Sequence, residues 1–124
     1  MFLSFLAYLS RYLTYKVDSN IYRHNTADLI IDYIHQNYDK PLTNKAIAET
    51  FSFHPNYLNR LLISYTGTSL YQYILSVKVN KAFEMLQTTA LTITDIAQAL
   101  GFCDISHFSK LFKEKTGYSP SELR

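Results

Sequence analysis

Several scarcities bound what this chain can be. A single cysteine, Cys103, in 124 residues excludes an intramolecular disulfide and any cysteine-cluster metal site, and it fits a reducing cytosol. Three glycines, three prolines and no low-complexity segment, in a chain that is 48% apolar, exclude a disordered polypeptide. One sign of charge is scarce as well. The net charge is +2, and Arg11, Lys16 and Arg23 against Asp18 place all of it in residues 1–25. Residues 26–124 are neutral, with nine basic and nine acidic side chains, so a uniformly basic surface is excluded. The four histidines, His24, His35, His54 and His107, show no paired ligand spacing. No nucleophile elbow, phosphate-binding glycine loop or carboxylate pair on adjoining elements is present, so an enzyme is not expected.

What is present begins at residues 93–116. Ile93, Ile96, Ala97 and Leu100 recur at three- and four-residue steps and predict one apolar face of a short helix. Gly101 stops it, because glycine adopts the left-handed conformation of a helix stop. Asp104 is positioned to cap a second helix, whose buried stripe is Phe108, Leu111 and Phe112. Ser106, Ser109, Lys110 and Lys113 lie off that stripe. Short helix, turn and polar-faced second helix together describe a helix-turn-helix.

The same pattern occurs earlier, in residues 44–66. Ile47, Ala48 and Ser52 precede Ile96, Ala97 and Gly101 by 49 positions, whereas Leu58, Arg60, Leu61 and Thr66-Gly67 precede Phe108, Lys110, Leu111 and Thr116-Gly117 by 50. The second copy therefore carries one extra residue, in its turn or at the start of its second helix. Two units are too few for a solenoid and form a pseudo-symmetric pair.

The remaining segments follow in order. Residues 1–16 carry Phe2, Phe5, Leu6, Leu9, Tyr12 and Leu13 at helical spacing. A membrane span needs about 20 apolar residues, and Arg11 interrupts this run. A secretory signal would place its charge before the apolar core instead of after it. The segment is expected to be an amphipathic helix that packs on the same chain or on a second copy. Residues 17–25 lack periodicity and read as a linker. A helix is predicted over 27–38, stopped by Asp39-Lys40-Pro41, followed by a helix from Thr43 to Thr50. Pro55 opens the helix ending at Gly67, and Ser69-Leu70-Tyr71-Gln72 is a capping box for a long helix over 70–87. Ser119-Pro120-Ser121-Glu122 repeats that logic for a short terminal helix.

From about residue 26 to 124 the chain resembles the C-terminal DNA-binding domain of AraC/XylS-type transcription regulators. The resemblance rests on Pro41-Leu42-Thr43, Ile47-Ala48, Tyr57-Leu58 with Arg60-Leu61, Thr66-Gly67, and Ala82 with Met85-Leu86. The end of the chain carries most of it: Ile93-Thr94-Asp95-Ile96-Ala97, Gly101-Phe102, Ser106-His107-Phe108-Ser109, Phe112-Lys113, Thr116-Gly117-Tyr118-Ser119-Pro120 and Arg124. It implies an all-α fold of about seven helices, with two helix-turn-helix subdomains joined by a long linker helix, plus the N-terminal amphipathic helix. Residues 1–25 would be the tail of a sensor or dimerisation domain, and 26–124 the DNA-binding domain. Ser52, His54, Leu62-Ile63 and Lys78 depart from the family pattern, as does Lys110, which stands where relatives often have Arg.

A helix reading the major groove needs polar side chains on its outer face near its N-terminal half. Arg pairs with both guanine acceptors, Asn with adenine's donor and acceptor, and an apolar tip meets the thymine methyl. The expected base contacts are therefore Asn56, Asn59 and Arg60 in the first motif and Ile105, Ser106, Ser109 and Lys110 in the second. Tyr57, His107 and Lys113 suit phosphates, as do the expected helix starts at Thr43 and Thr94. The partner is double-stranded DNA, with RNA polymerase and a second copy through residues 1–16 as further candidates. No membrane, cofactor or metal is expected, and the location is the bacterial cytoplasm, nucleoid-associated when bound. The alternative function is a protein-interaction module contacting RNA polymerase or another regulator, which the neutral charge of residues 26–124 and the many tyrosines keep open as the runner-up.

Overall fold

The computed structural model describes the backbone of residues 19–124 and the side chains from residue 25 onward. The expected amphipathic helix at 1–16 lies outside the described residues. Six helices follow, with no strand among the described residues: α1 Ser19–Gln36, α2 Asn44–Phe51, α3 Pro55–Thr66, α4 Leu70–Thr88, α5 Ile93–Ala99 and α6 Ile105–Thr116. Of the described residues, 19–36 and 43–71 form one compact unit, and 37–42 and 72–124 form the other.

In the first unit the apolar faces of α1, α2 and α3 meet. Ala27, Ile30 and Ile34, Ile47, Ala48 and Phe51, and Leu58, Leu61 and Leu62 are all buried. Tyr33 packs edge-on to Phe51, with ring centroids 5.4 Å apart, and the Tyr65 hydroxyl donates to Asp28 at 2.5 Å, tying α3 to α1. Each fully buried apolar side chain of this kind contributes about 1.5–3 kcal/mol relative to exposure.

The second unit repeats this arrangement around Leu75, Val79, Ala82 and Leu86 of α4. Ile96 and Ala97 of α5 and Phe108, Leu111 and Phe112 of α6 close on them, with Leu100 between. Phe102 lies 5.1 Å from Phe108, which lies 5.8 Å from Phe112. Tyr38 from the 37–42 segment packs against the same core.

Three expectations from the sequence are corrected. The linker expected over 17–25 is helical from Ser19: no Pro or Gly interrupts 19–26, and adding turns to an existing helix costs little compared with nucleating one. That helix stops at Gln36, two residues early, where the Asn37–Lys40 turn takes over, closed by the Lys40 N–H on the Asn37 carbonyl at 3.1 Å. The seventh, terminal helix does not form. Residues 119–123 make turns, with the Glu122 N–H on the Ser119 carbonyl at 3.1 Å. The Arg124 guanidinium instead ties the chain end to carbonyls of Leu86, Thr89 and Leu91, beside the C-terminus of α4, where a cation is favourable.

Lys78 is the one buried cation among the described residues, 5% exposed. Its Nζ donates to the carbonyls of Lys40, at 2.7 Å, and Leu100, and it sits 5.5 Å from the Phe102 ring centre. Burial lowers its pKa from the ordinary value, and the nearby Asp39 carboxylate partly offsets this.

Candidate nucleic-acid interface

The second helices of the two motifs, α3 and α6, correspond residue for residue at an offset of 50. At the N-cap, His54 Nδ1 accepts the Asn56 N–H at 3.1 Å, and Asp104 Oδ1 accepts the Ser106 N–H at 2.9 Å. At the far end, Thr66 Oγ1 donates to the Leu62 carbonyl at 2.7 Å and Thr116 Oγ1 to the Phe112 carbonyl at 2.8 Å. Gly67 and Gly117 stop the two helices at φ 85° and 86°.

The turns resolve the extra residue of the second copy. The N–H of Phe53 pairs with the Ala48 carbonyl at 2.9 Å, and that of Phe102 with the Ala97 carbonyl at 2.9 Å, an offset of 49. His54 and Asp104 then stand 50 apart, so Cys103 is the inserted residue. It lies in the turn and is exposed.

Most of the expected site residues lie on open faces. Asn56 and Arg60 on α3 are exposed, as are Ser106, His107, Lys110 and Lys113 on α6, and Ile105 is 40% exposed. Among the described residues Arg60, Lys110 and Lys113 have no ion-pair partner, and the ion pair found is Lys81–Glu84 at 3.7 Å. Arg60 borders a shallow cavity of about 300 Å³ with Tyr57, Leu61 and Ser64. Tyr57 is half-buried, its ring 5.2 Å from Phe53, and His107 stands 6.1 Å from Phe102.

Two of the expected residues, Asn59 and Thr94, are engaged or placed differently, whereas Thr43 starts its helix as expected. The half-buried Asn59 turns its Oδ1 to the backbone N–H of Leu70 at 3.0 Å. Thr43 is the cap of α2, accepting the Ala46 N–H at 3.1 Å. Thr94 is not a helix start: the cap of α5 is Thr92, whose hydroxyl accepts the Asp95 N–H at 3.0 Å. Thr94 is the second residue of α5 and exposed. The run Leu91-Thr92-Ile93-Thr94 offers two hydroxyls two residues apart, and Asp95 three residues after Thr92 was the signal that separates them.

No group of three or more His, Cys, Asp or Glu able to hold a metal occurs among the described residues, and none of their helices is long and apolar enough to cross a membrane.

The helix-turn-helix domain family matches residues 47–124. The C-terminal domain of AraT, a response regulator from Geobacillus stearothermophilus, superposes with a TM-score of 0.77 at 30% identity, over 79% of this chain and 82% of that one. Two Escherichia coli proteins are also similar. The uncharacterised HTH-type transcriptional regulator YpdC is 32% identical over 75% of this chain and 33% of its own length, and the HTH-type transcriptional activator RhaS is 31% identical over 78% and 35%. The chain thus spans about a third of the length of these curated relatives. With its two capped helix pairs and a family match over most of its length, the chain belongs to the AraC-type helix-turn-helix family.

Proposed function

We propose that this chain is the sequence-specific DNA-binding part of a bacterial transcription regulator, with α3 and α6 as its recognition helices, each entering one of two successive major-groove segments. One observation carries the reading. The same position of two helices capped alike at both ends holds an exposed, unpaired cation, Arg60 in one and Lys110 in the other. A solvated surface charge has no reason to recur at the matching position of both helices. A pair of recognition helices does.

In this reading Asn56, Arg60, Ile105, Ser106, Ser109 and Lys110 face bases, while Tyr57, His107 and Lys113 meet phosphates, together with the hydroxyl of Thr94 and that of Thr43, which can still donate while it accepts the Ala46 N–H. Arg60 holds the stronger discriminating group, because a guanidinium forks onto guanine where an ammonium offers a point charge. RNA polymerase and a second copy through residues 1–16 complete the proposed partners, and the site of action is the cytoplasm. The names of the relatives, as regulators and as an activator of transcription, support this assignment.

Fluorescence anisotropy against duplexes selected from a random pool tests it. Arg60→Ala and Lys110→Ala are each expected to cost about 1–3 kcal/mol on the preferred duplex, with a smaller loss on random DNA. Equal losses on both would reduce the two residues to phosphate contacts, and no binding by the wild-type chain would remove the function itself.

A further inference from the structure

We propose that Asn59 is a positioning residue that locks α3 to the start of α4, and that base reading at this position of the repeat falls to Ser109 alone. The second half of this proposal rests on the DNA-binding reading above, whereas the first half stands on the fold.

The second helices of the two motifs match at both ends, which makes a difference in what a matching side chain engages informative. Leu70 is the first residue of α4 and fully buried. Its N–H is one of the four at a helix start that the helix itself leaves unpaired, and burial cuts it off from water. Asn59 Oδ1 accepts it at 3.0 Å from eleven residues back in the chain. A backbone N–H opposite the side chain also fixes which end of the amide faces it, since only the oxygen accepts. In the second motif the residue fifty positions after Leu70 is Pro120, buried like Leu70 but lacking an N–H. Ser109, fifty positions after Asn59, therefore has no such donor to serve, and among the described residues it has no hydrogen-bond partner. Both are half-buried.

This difference separates their roles. Reading adenine requires the Asn oxygen and nitrogen to face the base edge together. With its oxygen turned to Leu70, Asn59 presents no such fork. Its contribution to binding is indirect, through the direction in which α3 projects Asn56 and Arg60 from a helix start it secures. Ser109 keeps a hydroxyl able to donate and accept.

Amide exchange and duplex selection, both on the whole chain, separate the two halves. In Asn59→Ala the Leu70 amide is expected to exchange about tenfold faster or more, with a lower Tm. Asn59→Asp keeps an acceptor and is expected to return both toward wild type. In selection from a random duplex pool, Asn59→Ala should enrich the same base pattern as wild type with a uniformly lower yield, and Ser109→Ala should lose preference at one position. Unchanged Leu70 exchange in Asn59→Ala, or a base preference altered by that variant, overturns the positioning role. An unaltered pattern in Ser109→Ala overturns the reading role. Should Asn59→Ala not fold, Asn59→Asp still decides, because a positioning acceptor requires its Leu70 amide to stay protected. If the wild-type chain enriches no sequence, the DNA reading and the Ser109 half fail together, and Leu70 exchange still judges Asn59.

Discussion

At the scale of the residue, the two turns set a matched pair of experiments. Ser52 and Gly101 occupy the same place, and both backbones are left-handed, at φ 60° and 81°. Ser52 is the one described non-glycine residue with positive φ, in a conformation that costs an L-residue about 1–2 kcal/mol. Ser52→Gly removes that strain while loosening the unfolded chain, so it should leave stability unchanged or raise it by up to about 1 kcal/mol. Gly101→Ala is the opposite case. It meets the same strain, and its new Cβ would lie 2.9 Å from the Lys40 carbonyl carbon and 3.1 Å from the Lys78 Nζ. Because one of those atoms is backbone, relief requires moving the 37–42 segment, and the cost should exceed the ~1–2 kcal/mol of the dihedral alone. Urea unfolding of both variants checks the pair: similar changes in midpoint would mean that the turns do not differ in this way.

Elements were legible in the sequence to the extent that one local cause fixed them. Apolar spacing located α2, α3, α5 and α6, and Asp104, Thr43 and Pro55 located three of their starts, because a cap acts within a few residues. The outward residues Arg60 and Lys110 followed from the same spacing. Whatever depended on distant chain did not follow. The engagement of Asn59 with Leu70 crosses eleven residues, the Arg124 tether that takes the place of the terminal helix reaches back over more than thirty, and Lys78 joins α4 to residues 40 and 100. From the sequence Lys78 is only a cation standing where an Arg is typical. In the fold it ties α4 to the segment before α2 and to the turn after α5. Lys78→Met leaves two carbonyls without their donor and should cost about 1–3 kcal/mol. The pH dependence is specific. Burial holds the Lys78 pKa below the ordinary 10.5 in the folded chain, so between the two values the unfolded chain binds more protons. The stability owed to Lys78 therefore rises as pH climbs through that interval, and is flat below it. The stability gap between wild type and Lys78→Met should be wider near about pH 10 than near about pH 7. A gap that narrows would mean that the ammonium is better stabilised folded than unfolded.

At the scale of the whole molecule, the small net charge restricts how DNA is held. Residues 26–124 carry as many acids as bases, so attraction must come from a few placed cations, chiefly Arg60, Lys110 and Lys113. Of the proposed phosphate contacts only Lys113 carries a permanent charge, since the others are hydroxyls, a tyrosine and a histidine. Each phosphate neutralised by a cation adds about −0.9 to the slope of log K against log salt. These three cations alone predict a slope of about −1 to −3, far from the value near −10 of lac repressor. Lys113→Ala should flatten the slope by about 1 and weaken binding to all duplexes alike, whereas Arg60→Ala should also change which duplex is preferred. The same titration tests the rest of the chain. Arg11, Lys16 and Arg23 carry the excess positive charge of residues 1–25, so a slope steeper than about −4 would assign part of the phosphate grip to them. Neutralising those three should then bring the slope back to the range set by α3 and α6. If it does not, cations other than these six hold the DNA, and α3 and α6 are not its main point of attachment.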